Sequence, residues 1–499
     1  MKKLLILTCL VGMSLTGCKD DFLTIVPETE LSSAIFYKTE ADFQQAVNAA
    51  YVPLRTIVND RAWLLGEMHS DNTYYSRNPL FGATEQQEDI ADFAVPTANG
   101  VTANVHVLNL YRQDYLIIAR ANQVLSQIDA VEFNADSKNN IKGQAMFLRA
   151  LAYFELIRYF EKIPLHLIPV PNRQEAALPL ASREEIFAQI VKDAQEAIQL
   201  LPPKSTQEAG RATSGSARTL LGNVYIEQKK WAEAETVLKE VVNSNQYSLM
   251  PTYAEAFSEN ASNKNNAESV FEVQFLEGAA GLNGNFMYQF MPRPISPTEI
   301  VTIMGTTNPQ PLDGEGNNTP TPDIIAAYEA GDQRKEASIG FITLAGSARL
   351  NKEYPYIKKF ASPHALNNNH GMNWPIYRYA EVLLFLAEAL NEQGKNGEAA
   401  LYLNQVRKRA GLGESQEADQ KEAIFKERQV ELAFENKRWF DLVRTGRAIE
   451  TITAYGNRIK ANPQAYYYPE GTAPRGNAFS NISIYYGLPA DEAALSPHF

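Results

Sequence analysis

The chain has 499 residues, of which 45% are hydrophobic and 21% are charged, and its formal net charge is −12. This composition predicts a globular protein with enough apolar residues for a large core. The acidic balance argues against a nucleic-acid-binding protein, because such proteins present basic surfaces to phosphate groups.

The N-terminus has the pattern of a secretory signal. Lys2 and Lys3 precede an apolar run at 4–15, and the sequence Leu-Thr-Gly-Cys then ends at Cys18. The run is too short for a transmembrane helix, which needs about 20 residues. A cysteine directly after this small-residue site resembles a bacterial lipobox, so we predict that residues 1–17 are removed and that Cys18 carries the lipid. The alternative is a soluble secreted protein with an incidental cysteine.

The cysteine count agrees with this leader. The sequence has two cysteines; Cys9 leaves with the signal, and Cys18 is used by the lipid. No disulfide framework, Cys-based zinc site or thiol nucleophile is therefore expected. The Lys-Asp-Asp sequence at 19–21 resembles the signal that sends Bacteroidetes lipoproteins to the cell surface. These features predict a protein anchored in the outer membrane by its lipid and facing the cell exterior.

Six helices are predicted between residues 40 and 242, because apolar residues recur there three and four positions apart. In the last two, Gly222 and Ala234 stand where a tetratricopeptide repeat has small residues, and Ala387 and Ala399 repeat that spacing in a later pair. The fold class is therefore mainly α, with about four degenerate tetratricopeptide-type helix pairs at about 37–250 and 371–447. The six helices are Glu40–Ile57, Asn104–Ile128, Ile141–Phe160, Arg183–Leu200, Ala217–Gln228 and Ala232–Val242.

A loop-rich insert at about 251–370 separates the third and fourth pairs and is rich in Pro, Gly and Asn. A structureless loop of this length is uncommon in a compact domain, so short strands such as Val270–Phe275 are predicted within it. Loops on a rigid scaffold frequently bind ligands, so the insert is expected to face one. An irregular segment at 448–499 completes one domain spanning 18–499.

Two later stretches carry a family resemblance. One runs from Trp374 to Asn391, and the other from Glu427 to Arg444 with a glycine at 446. Shorter matching stretches lie at 21–23, 115–122, 147–150 and 163–165. Together with the lipobox, they resemble the SusD/RagB family of outer-membrane nutrient-binding lipoproteins.

The resemblance implies a SusD-like fold and a function. The chain is expected to bind a nutrient and to deliver it to a SusC-type TonB-dependent outer-membrane transporter. The expected nutrient is an oligosaccharide. The chain is expected to use no cofactor, to bind no nucleic acid and to catalyse no reaction. Peptides are the alternative cargo, and a lipid-anchored glycosidase or a purely structural repeat protein are the alternative functions.

The second stretch also carries regularly spaced charges. Arg428 and Glu431, Glu435 and Arg438, and Arg438 and Asp441 are each three positions apart, which places each pair on one helix face. Partly buried charges must be paired to be tolerated. We therefore predict structural ion pairs here rather than catalytic or metal-binding carboxylates.

No catalytic or metal site is predicted elsewhere. His364 and His370 lie six apart without an evident third ligand. The segment 313–318 begins like a calcium loop but has Asn318 at the glycine position and Ile324 at the glutamate position. A glycosidase stays an alternative, because its two carboxylates are defined by their spatial separation.

Eight residues are predicted to contact the ligand. A glycan site needs aromatic faces for the apolar side of a sugar and polar side chains for its hydroxyl groups. The segment at 70–81 supplies Asp71, Asn72, Tyr74, Tyr75 and Arg77. In the alternative interpretation, both tyrosines cap the helical core and Asp71 fixes the loop.

The other candidates come from the insert and the start of the first family-like stretch. They are Tyr288, Phe290 and Trp374, and the tyrosines at 466–468 are further candidates. Residues 285–290 are expected to alternate as on a strand, so that half of them would be buried.

Overall fold

The computed structural model describes residues 36–77, 85–257, 264–293, 295–310, 315–344 and 353–498. The predicted signal at 1–17 and the predicted lipid site at Cys18 lie outside these ranges. Within them, every helix falls short of the length or the apolar character that crossing a membrane requires.

Helices dominate the described structure. The helices are α1 (Glu40–Asn59), α2 (Glu85–Ala91), α3 (Val105–Gln127), α4 (Ala135–Tyr159), α5 (Arg173–Ala176), α6 (Arg183–Leu200), α7 (Ser214–Glu227), α8 (Trp231–Asn243), α9 (Phe286–Gln289), α10 (Pro297–Met304), α11 (Pro322–Ala327), α12 (Gln333–Ser338), α13 (Tyr379–Asn391), α14 (Asn396–Arg409), α15 (Gln420–Glu431), α16 (Arg438–Arg444), α17 (Ala448–Ala461) and α18 (Ala490–Ala493). Short 3-10 turns lie at Ala62–Leu65, Ile128–Ala130, Ala254–Phe257 and Pro463–Tyr466.

The long helices form one continuous array. α1 packs on α3, α3 on α4, α4 on α6, α6 on α7 and α7 on α8. α13 then packs directly on α8, and α14 packs on α13. The insert therefore interrupts the array in sequence but not in space. This arrangement confirms the predicted mainly α fold and is consistent with four degenerate helix pairs.

Gly222 allows α7 and α8 to approach closely. A Cβ atom added at Gly222 would lie 2.5 Å from Cδ2 of Leu238. We expect Gly222→Ala to lower the free energy of unfolding by about 1–3 kcal/mol, the usual cost of overpacking a core. Gly397 in α14 provides the control, because an added Cβ there meets no atom within 4 Å and alanine is favoured in helices by about 1 kcal/mol. Denaturant unfolding measures the stability of both variants. Equal unfolding midpoints for Gly222→Ala and Gly397→Ala would contradict the role of Gly222 in packing.

The strands are short and pair in twos. They are β1 (Thr73–Tyr74), β2 (Val101–Thr102), β3 (Ile163–Pro164), β4 (Leu180–Ala181), β5 (Ser269–Val273), β6 (Thr319–Pro320), β7 (Ile339–Thr343), β8 (Glu353–Ile357), β9 (Trp374–Arg378) and β10 (Leu488–Pro489). In the described ranges β1–β6, β3–β4, β5–β9 and β7–β8 are antiparallel, and β2–β10 is parallel. The β1–β6 pair joins the 70–77 loop to the insert.

Two regions differ from the sequence prediction. The insert contains the predicted short strands but also the short helices α9 to α12, so the strand expected at 285–290 is in fact α9. Residues 448–461 form α17, so the C-terminal segment is not irregular there. The reason is visible in its pattern, since Ile452, Tyr455 and Ile459 recur three and four positions apart and are buried.

The predicted ion pairs exist as buried charges but with different partners. α15 ends at Glu431 and α16 begins at Arg438. Between them the backbone is left-handed at Phe434, with φ of 70°, and at Asn436, with φ of 61°. This break removes the common helix face only for Glu435 and Arg438, because Arg428 and Glu431 both lie in α15 and Arg438 and Asp441 both lie in α16. The bonded partners are different: Arg428 donates to Asp441 at 2.9 Å, Arg438 donates to Asp71, and Glu435 accepts from Arg378.

Glu431 is the centre of this network. Its carboxylate accepts hydrogen bonds from Arg334, Arg378 and Arg409. Burial opposes the ionisation of Glu431, but the three guanidinium groups outweigh burial and lower its pKa to about 2. A carboxylate fully occupied by three arginines has a structural role in holding the insert against α13 to α15.

Candidate functional site

The predicted ligand residues Asp71 and Asn72 are buried. Arg438 donates two hydrogen bonds to the Asp71 carboxylate, at 2.7 and 2.9 Å. The Asn72 amide donates to Glu67 at 3.1 Å and accepts from Gln429 at 3.0 Å. Both side chains therefore hold the 70–77 loop against α15 and α16.

Tyr74, Tyr75 and Arg77 lie in the interior beside the C-terminal segment. The Tyr74 hydroxyl lies 2.8 Å from that of Tyr468 and also bonds Asp92. The Arg77 guanidinium stands 3.8 Å from the ring centre of Tyr468 and donates to Asp92 at 2.9 Å. Burial, followed by the charge of Asp92, raises the pKa of Tyr74 well above its usual value. Tyr75 is 1% exposed.

The candidates from the insert and β9 are buried too. The Tyr288 hydroxyl lies 2.6 Å from Nε2 of His364. Phe290 packs edge-on against Trp63, with ring centres 4.6 Å apart. Trp374 stacks on Phe360 at 5.2 Å. These three side chains form part of the core beneath the insert.

All eight residues predicted to contact the ligand are therefore buried instead of facing solvent, and their contact with a ligand stays a prediction. The physical reason is that aromatic and amide groups that could contact a sugar can equally well stack on and hydrogen-bond to other groups of the protein. Here the C-terminal segment and the insert cover them. The alternative interpretation of the 70–81 segment agrees with the structure, since the tyrosines cap the core and Asp71 fixes the loop. Residues 78–81 lie outside the described ranges. The further candidates Tyr466, Tyr467 and Tyr468 are also buried.

A polar cluster that the sequence did not predict lies where the C-terminal end of α1 meets the insert. Its members come from the end of α1, the start of α3 and two parts of the insert. We call this set the Arg61 cluster: Asn59, Arg61, His106, Gln289, Glu315 and Asn317.

The cluster is held together by hydrogen bonds. Arg61 Nη2 donates to Glu315 Oε1 at 2.6 Å, and Asn317 Nδ2 donates to Glu315 Oε2 at 3.0 Å. Gln289 Nε2 donates to the Asn59 carbonyl at 3.1 Å. The side chains of Arg61 and Glu315 stay 29% and 32% exposed, so this ion pair reaches the surface.

Four buried polar atoms of the cluster have no hydrogen-bond partner among the residues that the structure describes. Buried polar atoms are nearly always bonded, so such atoms indicate a place for water or a ligand. The backbone of Arg61 is left-handed, with φ of 70°. That conformation is rare for residues other than glycine and is often found at functional sites. The four atoms are Arg61 Nε, His106 Nδ1, Gln289 Oε1 and Asn317 Oδ1.

The electrostatics of the cluster suit a neutral polar ligand. Burial, followed by the charge of Arg61, lowers the pKa of His106 to about 4, so this ring is uncharged at neutral pH. Arg61 and Glu315 carry opposite charges and compensate each other. Planar guanidinium, carboxylate and amide groups can bond hydroxyl groups as donors and acceptors. The sequence did not reveal this set because its members lie up to 258 positions apart, from 59 to 317.

A second concave surface lies between α3 and the C-terminal segment. This cleft of about 450 Å³ has Tyr111 and Tyr115 in its floor and the exposed Ile168 on its wall. The polar groups of the floor bond within the protein: Tyr115 donates to the Pro164 carbonyl at 2.7 Å, and Asn122 donates to the His166 carbonyl at 3.0 Å. The cleft therefore offers mainly apolar contacts, and the Arg61 cluster is the better candidate for a polar ligand.

Metal chemistry has no evident site in the described ranges. No group of three or more His, Cys, Asp or Glu side chains is placed there to hold an ion. Both ring nitrogens of His364 are engaged, with Tyr288 and with the Ser362 carbonyl. The 313–318 segment lies partly outside the described ranges.

Comparison with known proteins gives consistent similarities. The profile of the SusD family matches residues 341–496, and that of a family described as "Starch-binding associating with outer membrane" matches residues 21–226. A SusD-like protein P2 from Formosa agariphila is 26% identical over 99% of this chain and 97% of its own length. A SusD-like protein from Bacteroides ovatus is 24% identical over 89% of this chain and 82% of its own length.

Solved structures show the same fold. A laminarin-binding SusD-like protein is 26% identical, covers 92% of this chain and 98% of its own, and superposes with a TM-score of 0.72. A surface glycan-binding protein A from Bacteroides thetaiotaomicron is 21% identical, covers 93% and 98%, and has a TM-score of 0.73. Both similarities extend through the helical array and the insert.

Proposed function

The chain belongs to the SusD/RagB family, and on that premise we propose that it is a surface lipoprotein that binds a nutrient oligosaccharide and passes it to an outer-membrane transporter. The observation that carries this proposal is the similarity, over nearly the whole chain, to a structure described as laminarin-binding. The matching family description names starch binding and the outer membrane. Both point to carbohydrate as the ligand class and to uptake as the process.

The Arg61 cluster supports the proposal at the level of chemistry. Sugar hydroxyl groups both donate and accept hydrogen bonds, and the cluster offers unpartnered atoms of both kinds. The Arg61–Glu315 pair is partly exposed, so that Arg61 can donate a hydrogen bond to one sugar hydroxyl group and Glu315 can accept one from a neighbouring hydroxyl group. We therefore place the glycan at this cluster, in contact with Arg61.

Anchoring and delivery form the finer part of the proposal. The lipobox-like sequence at Cys18 supports a lipid anchor, since each buried methylene contributes about 0.8 kcal/mol and two chains hold firmly. A SusC-type TonB-dependent transporter is the proposed partner, and tethering both to one membrane raises their effective concentration. Membrane fractionation of Cys18→Ala tests the anchor: we expect release from the envelope, and retention would overturn it.

The ligand class is tested by calorimetry on the purified mature chain. Titration with neutral oligosaccharides of several linkages and with peptides of matched length is expected to give saturable binding for at least one oligosaccharide and none for the peptides. Binding of peptides alone would replace carbohydrate by peptide cargo. New reducing ends after incubation, lost on substitution of one carboxylate, would establish a glycosidase instead.

A further inference from the structure

Asp114 is a buried carboxyl group that the proposed binding role does not use. It lies in the middle of α3, is 1% exposed, and its Oδ2 accepts no hydrogen bond from any residue within the described ranges. Asp193 is equally buried but differs, because Arg149 donates two hydrogen bonds to it at 2.7 Å each. An ionised carboxylate without such a partner is strongly destabilising in a protein interior. The local structure must therefore accommodate Asp114 in another way.

Asp114 lines a partly open cavity of about 60 Å³ between α3, α4 and β9. A buried water needs about 10–15 Å³ measured in this way, so the cavity has room for about four waters. Glu155 and Arg158 of α4 line the same cavity, and Arg158 donates to Glu155 at 3.0 Å. Arg158 is therefore bonded to Glu155, and Oδ2 of Asp114 is left without a donor in the described ranges.

The other charges around the cavity are already paired. Lys437 lies 3.0 Å from Glu381, and Glu435 lies 2.7 Å from Arg378. α1 and the 3-10 turn that follows it contribute only apolar side chains to the lining. The titratable groups that surround Asp114 from the packed elements are Glu155, Arg158, Tyr159, Tyr377, Glu435 and Lys437.

The protonation of Asp114 follows from these surroundings. Burial raises the pKa of Asp114 well above its usual value, the charge of Glu155 raises it further, and Arg158 acts in the opposite direction. Protonation removes the charge that lacks a partner and turns one carboxyl oxygen into a donor.

We propose that Asp114 is a proton-binding site in the folded protein. Its protonated carboxyl group donates a hydrogen bond through cavity water to Glu155. Loss of this proton to solvent weakens the packing of α3 on α4. The sign of the pH effect follows from linkage. Because the native state holds the proton more tightly than the unfolded chain, stability falls as pH rises from the unfolded pKa, about 4, to the folded one. Below and above this interval the contribution of Asp114 is constant.

Asp114→Asn tests the proposal in the mature chain. Asparagine keeps the shape of a protonated aspartate and cannot ionise. We expect the variant to be at least as stable as the wild type at neutral pH. The unfolding equilibrium constant of the wild type should rise relative to the variant by up to about tenfold per pH unit within the interval. Denaturant unfolding across a pH series measures this difference.

A direct readout and a control complete the experiment. Infrared difference spectra at neutral pH should show a protonated carboxyl band that is absent from Asp114→Asn, and carbon-13 labelling of aspartate in the wild type reports the same state without a substitution. Asp193→Asn should be destabilised at neutral pH, because Arg149 loses its charged partner. An Asp114→Asn variant as unstable as Asp193→Asn, or an ionised Asp114 in the labelled wild type, would overturn the proposal.

Discussion

Replacing Arg378 with methionine is expected to lower the free energy of unfolding by about 3–5 kcal/mol, the usual cost of leaving buried charges without their partner. Arg378 is 3% exposed and donates hydrogen bonds to Glu268, Glu431 and Glu435. Methionine fills similar space but supplies no donor. A loss of this size is a large fraction of the stability of a typical protein. Denaturant unfolding followed by circular dichroism measures it.

Arg112→Met is the matched control for this substitution. The Arg112 side chain is 49% exposed and pairs with Glu492 at 2.6 Å. Exposed pairs of this kind contribute about 1 kcal/mol or less. If Arg378→Met were no less stable than Arg112→Met, the buried network would not hold the insert to the helical array as described.

Asp71→Ala is expected to lower the free energy of unfolding by about 3–5 kcal/mol without changing the glycan affinity of the folded protein. Asp71 carries both hydrogen bonds that neutralise the buried Arg438. Truncation would leave that guanidinium group charged and unpaired in the core. Unfolding curves and calorimetric titration of the same preparation measure the two effects separately.

Asp491→Ala provides the comparison for Asp71→Ala. The Asp491 side chain is 66% exposed and stands 3.8 Å from Arg112, so its removal should leave stability unchanged within about 1 kcal/mol. If Asp71→Ala kept full stability but lost glycan binding, Asp71 would be a ligand contact, as the sequence suggested.

The helices could be predicted because their signals are local. α6 was predicted with its observed bounds, since Ser182 and Glu185 form a capping box just before an apolar periodic run. α4 begins at Ala135, six positions before the predicted start at Ile141, because its first turns are polar and Asn134 caps them. Apolar periodicity identifies a helix by its apolar face, so it does not predict helix ends that are polar.

The partners of buried charges could not be predicted in the same way. Spacing along one helix suggested the pairs Arg428–Glu431, Glu435–Arg438 and Arg438–Asp441. In the structure Arg428 bonds Asp441 across the helix break at 432–437, and Arg438 bonds Asp71. Glu431 meets Arg334 across 97 positions of sequence. A short pattern contains no information about contacts at that separation.

The place of the ligand site could not be predicted from the sequence for a related reason. Tyr74 bonds Tyr468 across 394 positions, so whether its ring faces solvent or the core depends on where the C-terminal segment folds. The Arg61 cluster depends on the left-handed backbone at Arg61 and on the packing of two insert segments against α1. Residue type alone suggested a class of ligand, a glycan, but it contained no information about where in the fold the ligand would bind.

The proposed function requires this protein to hold an intact oligosaccharide through Arg61. Its most direct test is calorimetric titration of the wild type and Arg61→Ala with an oligosaccharide that the wild type binds, followed by analysis of the recovered sugar. Losing a charged hydrogen-bonding group costs about 1.5–3 kcal/mol, so we expect Arg61→Ala to bind the oligosaccharide about 10- to 100-fold more weakly than the wild type. The control Arg112→Ala should bind it with wild-type affinity. The sugar should be recovered uncleaved. Undiminished binding by Arg61→Ala, or recovery of shortened chains, would contradict the claim.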